Sequence, residues 1–331
     1  MGAFEIRTMF YSLIVPVYNR PDQIHSLLEC LIHQTYTSFE VIIVESGSAI
    51  KSEDVVKSFS SRLNISYHLQ GNNGQGFSRN HGMSQAKGDF FVILDSDILL
   101  DKNYLQNVNE GIKQDNLDAY GGPDRLHPSA TEMQKAVNYS MTSFLTTGGI
   151  RGSKKNKGKF YPRSFNMGIS RKVYEATGGY KLPYMGEDIE LSARIMSLGF
   201  RIGLIEKAHV YHERKKDLKS YYKQMHWFGR ARININRYFP KTFKFIHLIP
   251  VAFVSYLALT ITVMFYYWQI GFALSLPIQV FFFCVFVDSL FQYHDLKVAL
   301  LSIPTVFIQL YGYAVGMLQE FFGIGIKRND T

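Results

Sequence analysis

The chain has 331 residues, 47% of them hydrophobic, and 36 Lys and Arg against 27 Asp and Glu give a formal charge of +9. That length and apolar content exclude a disordered chain and leave room for one large or two smaller packed domains. Cys30 and Cys284 lie in unlike surroundings and are not expected to pair, so nothing in the sequence signals an oxidising compartment.

The first apolar run, Leu13–Tyr18, contains Pro16 and is shorter than the core of a secretory signal; it reads as a strand, β-rich over Ser12–Val15. Asn19-Arg20-Pro21 marks a turn, after which Ile24, Leu27, Leu28, Leu31 and Ile32 recur at helical spacing. Phe39–Val44 and Phe90–Leu94 are continuous apolar runs of the kind buried in parallel sheets, with helical segments between and after them. This alternation predicts a doubly wound α/β domain, assigned to residues 1–213, whose ligands bind where strand C-termini open into loops. Tyr18-Asn19, Glu45-Ser46-Gly47-Ser48 and Asp95-Ser96-Asp97 each follow such a strand end and are candidates to line one crevice. Further on, the lysine- and glycine-rich Arg151–Arg163 reads as a mobile loop. Glu187–Leu198 reads as a helix ended by Gly199, and Arg201–Ile205 as a strand followed by His209 and His212.

Residues 201–244 hold 12 Lys and Arg against 3 Asp and Glu, a net +9 that equals the charge of the whole chain. Aromatics interleave with these bases, which suits a helix at a headgroup interface better than a nucleic-acid surface; residues 214–246 are assigned to such a segment. Phe245–Val287 then runs 43 residues and Val298–Gln319 runs 22 without an Asp, Glu, Lys or Arg. The first stretch is about 65 Å long as a helix, roughly twice the hydrocarbon thickness of a bilayer. A hairpin is expected near Leu248–Trp268 and Ile270–Leu290, with Val298–Leu318 either a third span or a re-entrant or interfacial segment. The region 247–320 is therefore read as transmembrane, with two to three helices, and 321–331 as a tail. Arg230, Arg232, Arg237, Lys241 and Lys244 before the first span place the N-terminal domain on the cytosolic side. With three spans, Lys327 and Arg328 sit outside as a mild violation of that rule.

Asp95 and Asp97, one residue apart after an apolar strand, can aim two hard oxygen ligands at one Mg²⁺ or Mn²⁺. Read alone, the pair fits equally well an ordinary loop in which Asp97 or Asp101 caps the next helix. In order along the chain stand L-I-V-P-V-Y-N (Leu13–Asn19), V-I-I-V-E-S-G-S (Val41–Ser48), N-G-Q-G-F-S-R-N-H-G (Asn73–Gly82), F-V-I-L-D-S-D (Phe91–Asp97) and G-E-D-I-E-L-S-A-R (Gly186–Arg194). With these five segments, the chain resembles a family 2 glycosyltransferase of GT-A fold.

The resemblance implies a membrane-anchored, inverting enzyme with a nucleotide-sugar donor and a divalent metal. It places Tyr18 beside the nucleotide base, with a core tyrosine as the alternative. It leaves Glu45 as a base or ribose acceptor, although Ser46 stands where the family carries a second carboxylate, so that a uridine donor is expected but not fixed. It assigns Gly74, Arg79 and Asn80 to the donor, as glycine for close phosphate approach, bidentate cation and orienting amide, and Asp95 to donor and metal together. The metal shell is Asp95 and Asp97 with His212 as a candidate third ligand, a packing histidine being the alternative. Asp188 is the general base toward an acceptor hydroxyl and Glu187 its orienting neighbour; the alternative is a pair of carboxylates complementing a helix dipole.

Gln224-Met225-His226-Trp227 departs from the Gln-x-x-Arg-Trp element of processive synthases, which favours transfer of one sugar to a lipid-linked or membrane-proximal glycan in surface polysaccharide or glycoconjugate synthesis. A processive synthase is the alternative within this class. Outside it stand a nucleotidyltransferase, for which the basic glycine-rich loop after the first strand is missing, and a non-catalytic assembly protein.

Overall fold

The computed structural model describes residues 8–147, 161–238 and 243–324. These form two units, one of residues 8–127 with 161–213 and one of residues 128–147 with the described residues from 214 onward. The domain expected over residues 1–213 is thus interrupted, because the segment from Pro128 groups with the C-terminal helices. Residues 151–160 of the expected mobile loop, Lys241, Lys327 and Arg328 lie outside the described residues.

In chain order the first unit runs β1 (Tyr11–Val17), α1 (Pro21–Ile32), β2 (Phe39–Ser46), α2 (Glu53–Phe59), β3 (Ile65–Gln70), α3 (Gln75–Gln85) and β4 (Phe90–Leu94). It continues with β5 (Ile98–Leu100), α4 (Tyr104–Asp115), β6 (Ala119–Gly121) and β7 (Asp124–Arg125). Two helices of the second unit follow, α5 (Glu132–Thr142) and α6 (Phe144–Thr147). The chain then returns to the first with β8 (Asn166–Ser170), α7 (Arg171–Thr177), α8 (Glu187–Ser197), β9 (Ile202–Leu204) and β10 (Val210–His212).

The main sheet has the order β3-β2-β1-β4-β8-β6-β9. From β1 the chain winds outward through β2 and β3, then returns to place β4 on the other side of β1, with parallel pairing throughout. That reversal between β1 and β4 opens a crevice at their C-terminal ends. The doubly wound expectation describes this half of the sheet. Beyond β4 the sheet is mixed, since β8 runs antiparallel to both β4 and β6. Antiparallel β8 brings its N-terminal end, Asn166, beside Leu94 and therefore beside the crevice. A second, three-stranded sheet has β10 between β5 and β7, with His212 opposite Ile98.

Apolar sequence on both faces makes β1, β2 and β4 the centre of the fold, and Leu13, Ile14, Val41, Ile42, Val92 and Ile93 are at most 1% exposed. One face packs against α1, whose Ile24, Leu27, Leu28 and Leu31 form a single buried stripe and whose Pro21 presets the first turn. The other face receives Met83, Val173, Leu191 and Ile195 from α3, α7 and α8.

The second unit adds α9 (Leu218–Tyr238), a 3-10 turn at Phe245–Leu248, α10 (Ile249–Tyr266), α11 (Trp268–Tyr293) and α12 (Leu296–Phe322). The last three helices are long and apolar enough to cross a membrane, α10 together with the turn before it. They follow the three expected stretches within a few residues, although α12 runs into the segment expected as tail. Gly271 lets α10 and α11 close at their connection, where an added Cβ would lie 2.2 Å from the Met264 Cα. Ser289 of α11 and Ser302 of α12 meet at 2.7 Å, and Ser140 of α5 reaches Thr305 of α12 at 2.8 Å.

Helix α9 lies against α12 rather than standing free. A Cβ on Gly229 would fall 2.0 Å from the Tyr313 carbonyl oxygen, and one on Gly316 would fall 2.0 Å from that of His226. Glycine therefore permits backbone-to-backbone contact, and the Gly312-x-x-x-Gly316 spacing serves this pairing. Glu320, buried in α12, accepts from Arg230 Nε at 3.1 Å and Arg237 Nη1 at 2.7 Å. These two arginines, expected at lipid headgroups, instead neutralise a buried carboxylate.

Candidate active site

Asn19, at φ 53°, turns the chain out of β1 in the left-handed region that asparagine tolerates. Its Oδ1 accepts from the backbone N–H groups of Ala49 and Ile50, tying the loop after β1 to the loop after β2. Tyr18 beside it is 50% exposed and so is not a core tyrosine.

The Glu45 carboxylate is not at the crevice. It is fully buried and accepts from Ser48 Oγ, from the Ser52 backbone N–H at 2.8 Å and from Tyr67 OH at 3.2 Å. These contacts hold the loop after β2. Ser46 joins Ser78 Oγ at 2.6 Å, and Gln70 Nε2 donates to both hydroxyls. This neutral cluster at the sheet edge carried no signal in the sequence beyond Ser46 itself.

The expected phosphate cradle is also taken up internally. Gly74 sits at φ 91°, and a Cβ there would lie 2.6 Å from Pro183 Cβ. One on Gly76 would lie 2.1 Å from the Leu182 carbonyl oxygen, so these glycines admit the 182–184 segment rather than a ligand. Asn80 donates to the Tyr180 carbonyl and accepts from the Tyr180 N–H, both at 2.7 Å, so its amide clamps backbone instead of orienting a donor.

Arg79 is 1% exposed and donates from Nη2 to Asp95 Oδ1 at 2.7 Å and from Nη1 to Glu187 Oε1 at 3.0 Å. A guanidinium fork suits two carboxylates at once, and here it joins α3, the loop after β4 and the start of α8. Arg79 therefore ties the two acidic elements together. Glu187 also accepts from Gln75 Nε2 at 2.6 Å. Burial, then the neighbouring Asp188 charge, push the Glu187 carboxyl above its ordinary range, and these outweigh the opposing pull of Arg79.

Asp188 stands in the first turn of α8, with its side chain 14% exposed and its Oδ2 2.8 Å from Arg163 Nε. Glu190 is bidentate to Arg194 and thus part of the helix's own packing.

Asp97 lies opposite Arg20, whose Nη1 donates to its Oδ2 at 2.9 Å, and its Oδ1 lies 3.1 Å from His212 Nε2. The antiparallel pairing of β10 with β5 carries His212 to this place. His209, immediately before β10, packs on Tyr211, and burial pulls its pKa below the usual value. Asp101 does not cap α4: it accepts from the Asn103 N–H just before that helix.

Among the described residues no group of three or more His, Cys, Asp and Glu is gathered as a metal site. Asp97 and His212 are together, whereas Asp95 is turned to Arg79. The donor set of two carboxylates and one imidazole, without thiolate, is of the kind that suits Mn²⁺ or Mg²⁺. The structure thus brings Asp95, Asp97, His212, Glu187 and Asp188 into one array at the sheet's C-terminal edge. It adds Arg20, Gln75 and Arg163, which no local pattern marked, since each acquires its partner from a distant element.

Residues 12–178 match the model of glycosyl transferase family 2. The chain belongs to that family. Among curated relatives, the glycosyltransferase GlyG of Streptococcus pneumoniae serotype 4 is 28% identical over 34% of this chain and 38% of its own. The chondroitin synthase of Escherichia coli is 25% identical over 61% of this chain and 34% of its own. The chain therefore spans little more than a third of the length of these relatives. Among solved structures, the mannosyltransferase PcManGT of Pyrobaculum calidifontis, in complex with GDP-Man and Mn²⁺, matches 96% of this chain and 89% of its own. Its TM-score is 0.65 at 15% identity. At that identity the likeness is one of fold, and the first unit of this family 2 member is a GT-A type α/β domain.

Proposed function

We propose that this family 2 member is a metal-dependent, inverting glycosyltransferase that moves one sugar from a nucleoside-diphosphate sugar to a lipid-linked or membrane-proximal glycan. The observation that carries this reading is the approach of Glu187 and Asp188 to the Asp95–Asp97 loop through Arg79. A carboxylate suited to accept a proton and a pair suited to a diphosphate's metal thereby stand at one crevice.

In this reading Asp188 accepts the proton of the acceptor hydroxyl as its oxygen bonds to the anomeric carbon, while the bond from that carbon to the diphosphate breaks with inversion. Arg163 holds the Asp188 carboxylate in place at 2.8 Å. Glu187, fixed by Arg79 and Gln75, sets the position of the helix end that carries Asp188. Asp95, Asp97 and His212 would hold Mn²⁺ or Mg²⁺, which supplies charge stabilisation for the departing nucleoside diphosphate. Tyr18 offers an exposed ring to the base, and uridine is the base we assign.

We assign the catalytic unit to the cytosolic side, where nucleotide sugars are made, and the excess of Lys and Arg before α10 supports this. Titration with UDP, GDP and CDP, each with and without Mn²⁺, tests donor and metal together. Metal-dependent binding of UDP in preference to the others is expected; binding indifferent to metal removes the metal assignment, and preference for another base removes uridine.

A further inference from the structure

The geometry points to α12 as a helix lying in the membrane surface with one face in the acyl chains, leaving α10 and α11 as the two segments that cross the bilayer. This rests on the proposed membrane anchoring and goes beyond it by assigning a lipid-binding face.

Helix α12 is packed along α9. Contacts between α9 and α12 advance in parallel, from Tyr221 with Gln309, through His226 with Gln319, to Arg230 with Glu320. Residues 309–320 rise about 17 Å as a helix, more than half of a hydrocarbon core of about 30 Å. Were α12 to cross, its backbone contact at Gly229 and Gly316 would draw α9 in with it. Yet α9 carries Lys219, Lys223, Arg230, Arg232 and Arg237, and each cation at the bilayer centre costs about 2.5–3.5 kcal/mol. Among the described residues, Glu320 offsets Arg230 and Arg237 alone.

Helix α12 also divides into two faces. At about 100° per residue, exposed Leu300, Tyr311, Leu318 and Phe322 fall within roughly 40° of one another. Ser302, Thr305, Gln309 and Glu320, with the two glycines, fall on the opposite side and meet α11, α5 and α9. The membrane-length window of α12 is 44% buried, against 6% for α10 and 11% for α11. Helices α10 and α11 thus present lipid on nearly all sides, as spanning helices do, and α12 on one side only.

The occupant of this face is one leaflet of the bilayer. Exposed Lys219 and Lys223 on α9, with Trp227 40% exposed, give the cationic and aromatic border that anionic headgroups attract.

The full chain, with Cys30→Ser and Cys284→Ser, is placed in vesicles of phosphatidylethanolamine and phosphatidylglycerol. Single Tyr267→Cys, Lys297→Cys and Ile324→Cys variants are then labelled with a membrane-impermeant maleimide. Labelling of positions 297 and 324 from one side, and of 267 from the other, is the expected result. Position 324 labelling with 267 overturns the in-plane helix while leaving the anchor. Position 267 labelling with 297 shows that the hairpin does not cross and overturns the membrane reading itself. Nitroxides at Leu300, Tyr311 and Leu318 supply a second measurement. Similar shallow depths with oxygen accessibility are expected; passage through the midplane overturns the proposal, and so does exclusion of oxygen by a second copy.

Discussion

Arg79 and Glu187 are 108 positions apart in sequence and meet as a buried ion pair at 3.0 Å. Through Arg79 the same contact reaches Asp95, so the two acidic elements of the site share one cation. Removing a partner from a buried pair leaves an uncompensated charge, at a cost of about 3–5 kcal/mol. Arg79→Ala is expected to lose that stability, read by denaturant unfolding in detergent, and Arg79→Lys to lose less because charge remains without the fork. Unchanged stability in Arg79→Ala would show that the triad does not hold the site together.

Asp95→Ala and Asp97→Ala are each expected to abolish metal-dependent binding of UDP, measured by titration calorimetry with Mn²⁺. Chelation with EDTA should reproduce the effect on the unmodified protein. His212→Ala is expected to raise the Mn²⁺ concentration needed for half-maximal binding by about 10-fold or more, the scale on which a supporting group acts at a metal site. Donor binding indifferent to all three substitutions would remove the metal role.

Asp188→Asn is expected to leave donor affinity nearly intact while lowering transfer about 10²-fold or more, the range for loss of a general base. The two quantities are read separately, by calorimetry and by product formation. An equal loss of both would make Asp188 a donor ligand, and near-normal transfer would shift the role to Glu187.

Gly229→Ala sets a Cβ 2.0 Å from the Tyr313 carbonyl oxygen, a contact that only backbone movement relieves. Such overpacking costs about 1–3 kcal/mol. Faster trypsin cleavage within α9 and a lower melting temperature in detergent are expected; a variant as resistant as the parent would mean that α9 and α12 are not packed there.

The central strands, the helix opening at Pro21, the Asp-x-Asp loop and the three apolar helices were all legible in the sequence. Their signals are local: apolar continuity for strands buried on both faces, helical spacing for α1, and charge-free length for α10 to α12. What each polar group touches was not legible, because its partner comes from another element. Glu45 reads as a ligand at a strand end until Ser48, Ser52 and Tyr67 close around it. Arg79 and Asn80 read as donor contacts until α8 and the Tyr180 backbone supply their partners. His212, a candidate ligand by resemblance, meets Asp97 because β10 pairs with β5. Composition and periodicity determined which segments are strand, helix or membrane-length because those depend on neighbouring residues and on burial. Tertiary structure alone decided which charges meet, since a buried carboxylate or guanidinium takes whichever partner the fold sets within reach.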